Sequence, residues 1–284
     1  MKVAKTIKSV RNLVKTAHDK GKKIGFVPTM GALHIGHISL IKAAKKKCNF
    51  VVVSIFVNPT QFGPGEDFEK YPRPLKADLE ICRKSGVDVI FAPSLQQMYP
   101  GENMTWVNVK KLTEQLCGRF RPGHFRGVAT ICAKLFSIVA PDIAFFGQKD
   151  AQQAVVIKKM VADLNMPLKI VVCSTVCQAD GLAVSSRNQY LTEQQKKDAT
   201  YIYKALKKAK SLIKAGATKS KTIISEMKKI LNRAPSIKIE YISIVDAETL
   251  QELEKIGGRV LVAVAVKIGS TRLIDNILVD VNRR

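Results

Sequence analysis

Between Lys22 and Lys47 the chain reads KKIGFVPTMGALHIGHISLIKAAKKK, and this stretch limits the possible fold more than any other. Ile24, Phe26 and Val27 form a short apolar strand punctuated by Pro28. Thr29 to Leu33 make a loop of small residues, in which Gly31 and Ala32 let a ligand approach the backbone closely. From about His34 the apolar positions Ile38, Leu40, Ile41, Ala43 and Ala44 take helical spacing, and Lys45 to Lys47 complement the dipole at the helix C-terminus. Strand, glycine turn and helix start in that order make an anion site. The N–H groups of a first helical turn are unpaired, and the dipole there favours negative charge. His34 and His37, two of only four histidines, fall three residues apart in that turn and can face one bound group. Taken alone, the pattern also fits the first unit of any open α/β sheet carrying two surface histidines.

The rest of the chain continues the α/β theme. Phe50 to Val57 and Val87 to Ala92 are unbroken apolar runs of the kind buried in parallel sheets. The first ends in Asn58-Pro59-Thr60-Gln61-Phe62, a polar loop at the carboxyl end of a strand, where open α/β sheets hold their ligand crevice. A Pro/Gly-rich loop then leads into a helix near Pro74. Met104 to Val109, with the lone Trp106, is expected to be a strand. Arg119, Arg121, His124 and Arg126 gather in a loop before an apolar helix over Val128 to Val139. Asp142 to Phe146 and Gly147-Gln148-Lys149-Asp150 repeat the opening design of strand, glycine and polar helix start, and Lys149 is a point charge suited to a phosphate. Leu168 to Ser174 is the last core strand. It is followed by a loop in which Ser185, Ser186 and Arg187 make a good polyphosphate clamp. Two lysine-rich helices and three strand-like runs close the chain, so a Rossmann-like, doubly wound parallel sheet over residues 1–176 is expected to precede a small α+β lid domain over 177–284.

Charge is the property most able to mislead. The formal net charge of +24 invites a nucleic-acid reading, but the excess is spread along the whole chain and is mostly lysine on helix faces. No arginine-rich arm, zinc finger or aromatic RNA-binding signature accompanies it, so no nucleic-acid partner is expected. Val3, Ile7, Val10 and Val14 suggest an amphipathic first helix rather than a signal peptide, and no apolar run is long enough for a bilayer. The expectation is a cytoplasmic protein with no membrane partner. Its six scattered cysteines read as reduced thiols, and Cys173 and Cys177 lack the partners of a zinc site.

The string PTMGALHIGH resembles the His-x-Gly-His signature of the nucleotidyltransferase and class I aminoacyl-tRNA synthetase superfamily, and its full wording is similar to the pantothenate synthetase family. VNPTQF, YPR, RPGHF, Gly-Gln-Lys-Asp-Ala-Gln-Gln, DGLAVSSRN and KIGSTRLIDN match that family's boxes in order, from Pro28 to Asn276. The resemblance implies an ATP-dependent ligase that joins pantoate to β-alanine through a pantoyl adenylate, with Mg²⁺, as a homodimer. It implies ATP contacts at Met30, Gly31, Ala32, Leu33, His34, Ile35, Gly36 and His37, at Gly147, Gln148, Lys149 and Asp150, and at Val176, Val184, Ser185, Ser186 and Arg187. His34, His37, Lys149 and Arg187 would be catalytic. Gln61, Gln153, Asn58 and Arg121 would hold pantoate or β-alanine, and Asp78 is the metal position it offers. His124 is expected to be structural. Two departures stand out: Ala77 where members often carry a second acid, and Cys177-Gln178 where an arginine-containing pair is usual. Another nucleotidyltransferase would share the histidine loop but has no reason to contain VNPTQF or the Lys149–Gln153 box.

Overall fold

The structure, a computed structural model, describes residues 1–281. In chain order its main elements are β1 (Lys2–Ala4), α1 (Ile7–His18), β2 (Ile24–Thr29), α2 (Ile35–Lys47), β3 (Phe50–Ile55), α3 (Leu75–Lys84) and β4 (Val89–Phe91). The short α4 (Leu95–Met98) and α5 (Cys117–Phe120) precede α6 (His124–Val139), β5 (Ile143–Gly147), α7 (Ala151–Asp163) and β6 (Lys169–Cys173). The last elements are α8 (Glu193–Lys214), α9 (Ser220–Leu231), β7 (Ile237–Asp246), β8 (Gly258–Ile268) and β9 (Thr271–Val281).

Two compact units result. The first holds Met1–Thr113, Arg121–Gln148 and Gln153–Ser174. Its six strands are all parallel in the order β1-β4-β3-β2-β5-β6. From β2 the chain winds outward one way through β3 and β4, and the other way through β5 and β6. The switch point therefore lies between β2 and β5, where a doubly wound sheet opens its ligand crevice at the strands' carboxyl ends. Ile24, Phe26, Val27 and Val51 to Val53 are fully buried, which is why these strands read as unbroken apolar runs.

Two expectations fail in this unit. Val3 is not helical: Lys2–Ala4 pairs in parallel with Val89–Phe91. The helix begins at Ile7 because Thr6 Oγ1 caps it, accepting from Ser9 N–H at 3.1 Å. Trp106 lies in no strand, and its ring is instead covered by the Arg126 guanidinium, 4.6 Å from the ring centroid.

The second unit takes in everything described from Thr175 onward, together with Glu114–Phe120 and Lys149–Gln152, two segments that fall within the first domain expected from sequence. Its sheet is antiparallel, in the order β7-β8-β9, and α8 and α9 pack on each other and on the sheet. The central strand β8 is buried from Val260 to Val266, and Val260, Val262, Val264 and Val266 pack against Leu206, Ile223, Met227 and Leu231 of the helices.

Candidate active site

The loop after β2 is built from backbone hydrogen bonds that side chains complete. Thr29 Oγ1 donates to Ser54 O at 2.7 Å and accepts from Gly31 N–H at 3.1 Å. The chain then turns through two left-handed residues, Gly31 at φ +83° and Ala32 at φ +50°. Asp78, on the first turn of α3, receives the freed donors: Oδ2 accepts from Ala32 N–H at 2.9 Å and Oδ1 from Leu33 N–H at 2.7 Å. A Cβ on Gly31 would lie 2.9 Å from Asp78 Oδ2 and 3.0 Å from Ile55, so glycine is required by space as well as by φ. Burial pushes the Asp78 carboxyl above its usual range, against the pull of the Leu33 and Ala32 N–H groups. Asp78 is 1% exposed and both of its oxygens accept loop N–H groups, so it shapes the loop whether or not it also meets the expected metal.

The two histidines close that loop onto α2. His34 is the N-cap: its Nδ1 accepts from Gly36 N–H at 3.2 Å, and His37 Nδ1 accepts in return from His34 N–H at 3.2 Å. This is a capping box made of imidazoles. An Nδ1 that accepts carries no proton, so each neutral ring holds its proton on Nε2 as a donor. The ring centroids are 4.1 Å apart. A Cβ on Gly36 would come within 2.9 Å of His34 Cε1, so His-Ile-Gly-His needs its glycine to seat the first ring.

At the end of β3 the VNPTQF loop is tied together by its own amides. Gln61 is 9% exposed and its Oε1 accepts from Asn58 Nδ2 at 3.2 Å. Asn58 is 1% exposed. Its amide is used by Gln61 and Gly127 on the nitrogen side, and by Tyr99 and Thr60 on the oxygen side. It orients its neighbours. Arg121 is also committed within the protein. It grips Glu66 with Nε at 2.6 Å and Nη2 at 2.5 Å, and donates from Nη2 to Gln61 O at 3.3 Å. Burial alone would raise the Glu66 carboxyl, but the hydrogen bonds and charge of Arg121 hold it below the ordinary range. Arg121 Nη1 can only donate, so His124 Nε2 accepts at 3.0 Å and His124 Nδ1–H donates to Gln61 O at 2.7 Å. The RPGHF box thus clamps the Gln61 backbone, and the structural assignment suits His124. Gly147 and Gln148 leave the end of β5 half-buried, and Gln153 is half-buried on α7.

In the second unit, Lys149 O accepts from Asn276 Nδ2 at 2.9 Å, and Asp275 beside it on β9 is 6% exposed. Burial raises the Asp275 carboxyl to about 6. The Asn276 N–H and the Lys149 charge oppose the rise, and Asp150 adds to it. Gln152 holds the neighbouring segment, accepting from Cys117 N–H at 2.9 Å and donating to Gln115 O at 2.7 Å. Val184 N–H donates to Val176 O at 3.0 Å, which closes the DGLA turn. Gly181 at φ +90° lies so close to the Tyr203 ring that a Cβ would overlap it. Ser185 Oγ then accepts from Arg187 N–H at 3.3 Å, starting a single helical turn that leaves Arg187 half-buried.

Sequence reasoning missed Glu66 and Tyr99 as supporting residues, and read Asn276 only as the end of the KIGSTRLIDN box. Each acts on a partner between 41 and 127 residues away, which no local pattern encodes.

The chain matches the family model described as pantoate-beta-alanine ligase over residues 2–278. It is 54% identical to the pantothenate synthetase of Thermoanaerobacter pseudethanolicus over 278 residues, 98% of each chain. It is also 54% identical to that of Moorella thermoacetica over 282 residues, 99% of this chain and 100% of the relative. Among solved structures, the pantothenate synthetase of Thermus thermophilus superposes with a TM-score of 0.93 at 41% identity, covering 98% of this chain and 99% of that one. The pantoate-beta-alanine ligase of Francisella tularensis, complexed with beta-gamma ATP and beta-alanine, superposes with a TM-score of 0.82 at 39% identity, covering 98% and 97%.

Proposed function

The chain belongs to the pantoate–β-alanine ligase family, and from that premise we propose how its own residues carry the reaction. The enzyme condenses pantoate with β-alanine and takes ATP as a substrate. A carboxylate is a poor acyl donor, so it must first gain a leaving group. In the first step a pantoate carboxylate oxygen attacks the α-phosphorus of ATP, the bond to the bridging oxygen breaks, and pyrophosphate leaves. In the second, the amine of β-alanine attacks the acyl carbon of pantoyl adenylate and loses a proton as AMP departs. The protein forms no covalent bond in either step, so its contribution is positioning and charge stabilisation.

The observation that carries this reading is the reciprocal cap of His34 and His37. It fixes both Nε2–H groups as donors at the N-terminus of α2, where the helix dipole also favours the charge that builds on departing pyrophosphate. Met30 to Leu33, Ile35 and Gly36 then contact the nucleotide mainly through backbone. Lys149 and Arg187 offset phosphate charge, with Gly147, Gln148, Asp150, Val176, Val184, Ser185 and Ser186 as further nucleotide contacts. Gln61 and Gln153 orient pantoate. Asn58 and Arg121 serve that role at one remove, through the side chain and the backbone of Gln61.

Among the described residues no group of three or more His, Cys, Asp or Glu could hold a metal ion. Magnesium fits this protein as an ion brought by the nucleotide, bound to phosphate oxygens and water. It would offset phosphate charge there. Homodimeric assembly and a cytoplasmic location belong to the same proposal, and no described helix is long and apolar enough to cross a membrane. The deciding experiment is ATP–pyrophosphate exchange stimulated by pantoate with β-alanine absent. Exchange that requires β-alanine, or none with pantoate, would rule out the adenylate.

A further inference from the structure

Tyr99 follows α4, and no sequence motif marks it. Its hydroxyl donates to Asn58 Oδ1 at 2.8 Å, and Thr60 Oγ1 donates to the same oxygen at 3.1 Å. On its other side, Asn58 Nδ2 meets the Gly127 carbonyl at 3.3 Å and Gln61 Oε1 at 3.2 Å. A peptide carbonyl can only accept, so Gly127 O decides which end of the Asn58 amide is nitrogen. Oδ1 must then face Tyr99 and Thr60. The second Nδ2 proton in turn requires an oxygen from Gln61, which turns Gln61 Nε2 the other way, toward Met30 Sδ at 3.0 Å. A thioether sulfur is a weak acceptor, so this N–H keeps most of its capacity for a better one.

The chain of bonds is held at both ends. The Lys134 ammonium lies 4.1 Å from the Tyr99 ring centroid and donates to Met98 O at 2.5 Å. Burial raises the Tyr99 phenol, with the contact of its hydroxyl to Thr60 Oγ1 at 3.5 Å opposing and Cys132 adding, so the hydroxyl keeps its proton at neutral pH. At the far end, a Cβ on Gly127 would lie 2.2 Å from Thr60 O, so α6 reaches this turn only because residue 127 is glycine. Asn58, at 1% exposure, has no solvent with which to exchange a partner.

We propose that Tyr99 is a positioning residue for the acid substrate, fixing through Asn58 the amide orientation in which Gln61 presents a donor rather than an acceptor. The consequence is selectivity. A carboxylate or a hydroxyl oxygen accepts the Gln61 N–H, whereas a reversed amide would set its own oxygen against the carboxylate. The proposal rests on the assignment of Gln61 to pantoate.

The test uses the full chain and five forms: wild type, Tyr99→Phe, Asn58→Asp, Gln61→Ala, and Tyr99→Phe combined with Gln61→Ala. Steady-state kinetics are measured in pantoate and in ATP, with thermal unfolding alongside. Tyr99→Phe leaves a buried acceptor short of one donor, so KM for pantoate rises about 5-fold while KM for ATP and kcat stay within about 2-fold. Asn58→Asp removes the donor that holds Gln61 Oε1 and reverses the amide, raising KM for pantoate by about 30-fold or more. In the Gln61→Ala background the Tyr99 change adds less than about 2-fold, as coupled residues require. An unchanged pantoate KM in Tyr99→Phe overturns the proposal, as does an equal rise for ATP and pantoate or a full Tyr99 effect without Gln61. A pantoate KM left unchanged by Gln61→Ala itself overturns the assignment of Gln61, and is told apart because it needs no Tyr99 variant. If Tyr99→Phe fails to fold, the Asn58→Asp measurement decides alone.

Discussion

His37 Nδ1 accepts the backbone N–H of His34 at 3.2 Å, so the residue proposed to offer a donor to a phosphate is also the one that fastens the start of α2. Structural and chemical roles coincide in one side chain, and substitution can separate them. Gln at the third helical position and Asn at the N-cap both preserve cap acceptors while removing an imidazole N–H. His37→Gln and His34→Asn are therefore expected to keep thermal stability within about 0.5 kcal/mol and to lose about 10²-fold in turnover. His34→Ala should add a stability loss of about 1 kcal/mol. Calorimetry and exchange kinetics on the same preparations check both halves. Near-normal turnover in both conservative variants would return the histidines to capping alone.

Asp78 is expected to act through the loop. Asp78→Ala leaves the Ala32 and Leu33 N–H groups without their acceptors and should cost about 3 kcal/mol, since each charge-assisted bond contributes more than a neutral one. The Mg²⁺ concentration for half-maximal exchange should not change in Asp78→Asn. A tenfold increase (about 1.4 kcal/mol) would instead make Asp78 a metal ligand.

What the sequence could and could not convey follows from the distance over which each residue acts. The loop from Thr29 to His37 is legible as structure because its glycine, its cap and its helix are contiguous. Gln61 and Lys149 are proposed as site residues from their boxes alone. Arg121 and Asn58 also sit in boxes, yet the boxes do not show their bonds to Glu66 and Gly127, which lie 55 and 69 residues away in sequence. Val3 escaped because a three-residue edge strand is too short to show a period of two. Lys149–Gln152 join the second unit through Asn276 and Cys117, contacts that no pattern within the segment encodes.

Arg187 should matter to only one half of the reaction. Pyrophosphate, the anion a guanidinium there would hold, forms in the first step and is gone before the amine attacks. Arg187→Ala is expected to lower kcat/KM for adenylation by about 10²-fold or more, near 3 kcal/mol of transition-state stabilisation. Turnover of supplied pantoyl adenylate with β-alanine should fall by less than about 3-fold. Single-turnover measurement of each half separates the two, and equal slowing would assign Arg187 to the adenylate or to the fold.

Asp275 predicts an unusual pH dependence of stability. Its folded carboxyl titrates near 6 rather than at the ordinary 3.8, because burial outweighs the Asn276 N–H and the Lys149 charge, with Asp150 and Cys177 also facing it. A raised acid pKa means that the folded chain binds a proton that the unfolded chain has already released between those two values. Stability contributed by this group is therefore complete below pH 3.8 and is lost as pH rises to 6, the reverse of a salt-bridged carboxylate. The full shift corresponds to about 3 kcal/mol at 1.36 kcal/mol per unit. Asp275→Asn removes the titration, so the stability difference between variant and wild type should grow in the variant's favour from about pH 4 to about pH 6.5 and then level off, by about 3 kcal/mol at most. Urea unfolding of both proteins across that range measures it, and the titrating groups that Asp275 does not face cancel in the difference. A difference that stays flat would mean that the ionised Asp275 is compensated in the folded state, with the Lys149 charge acting in that direction.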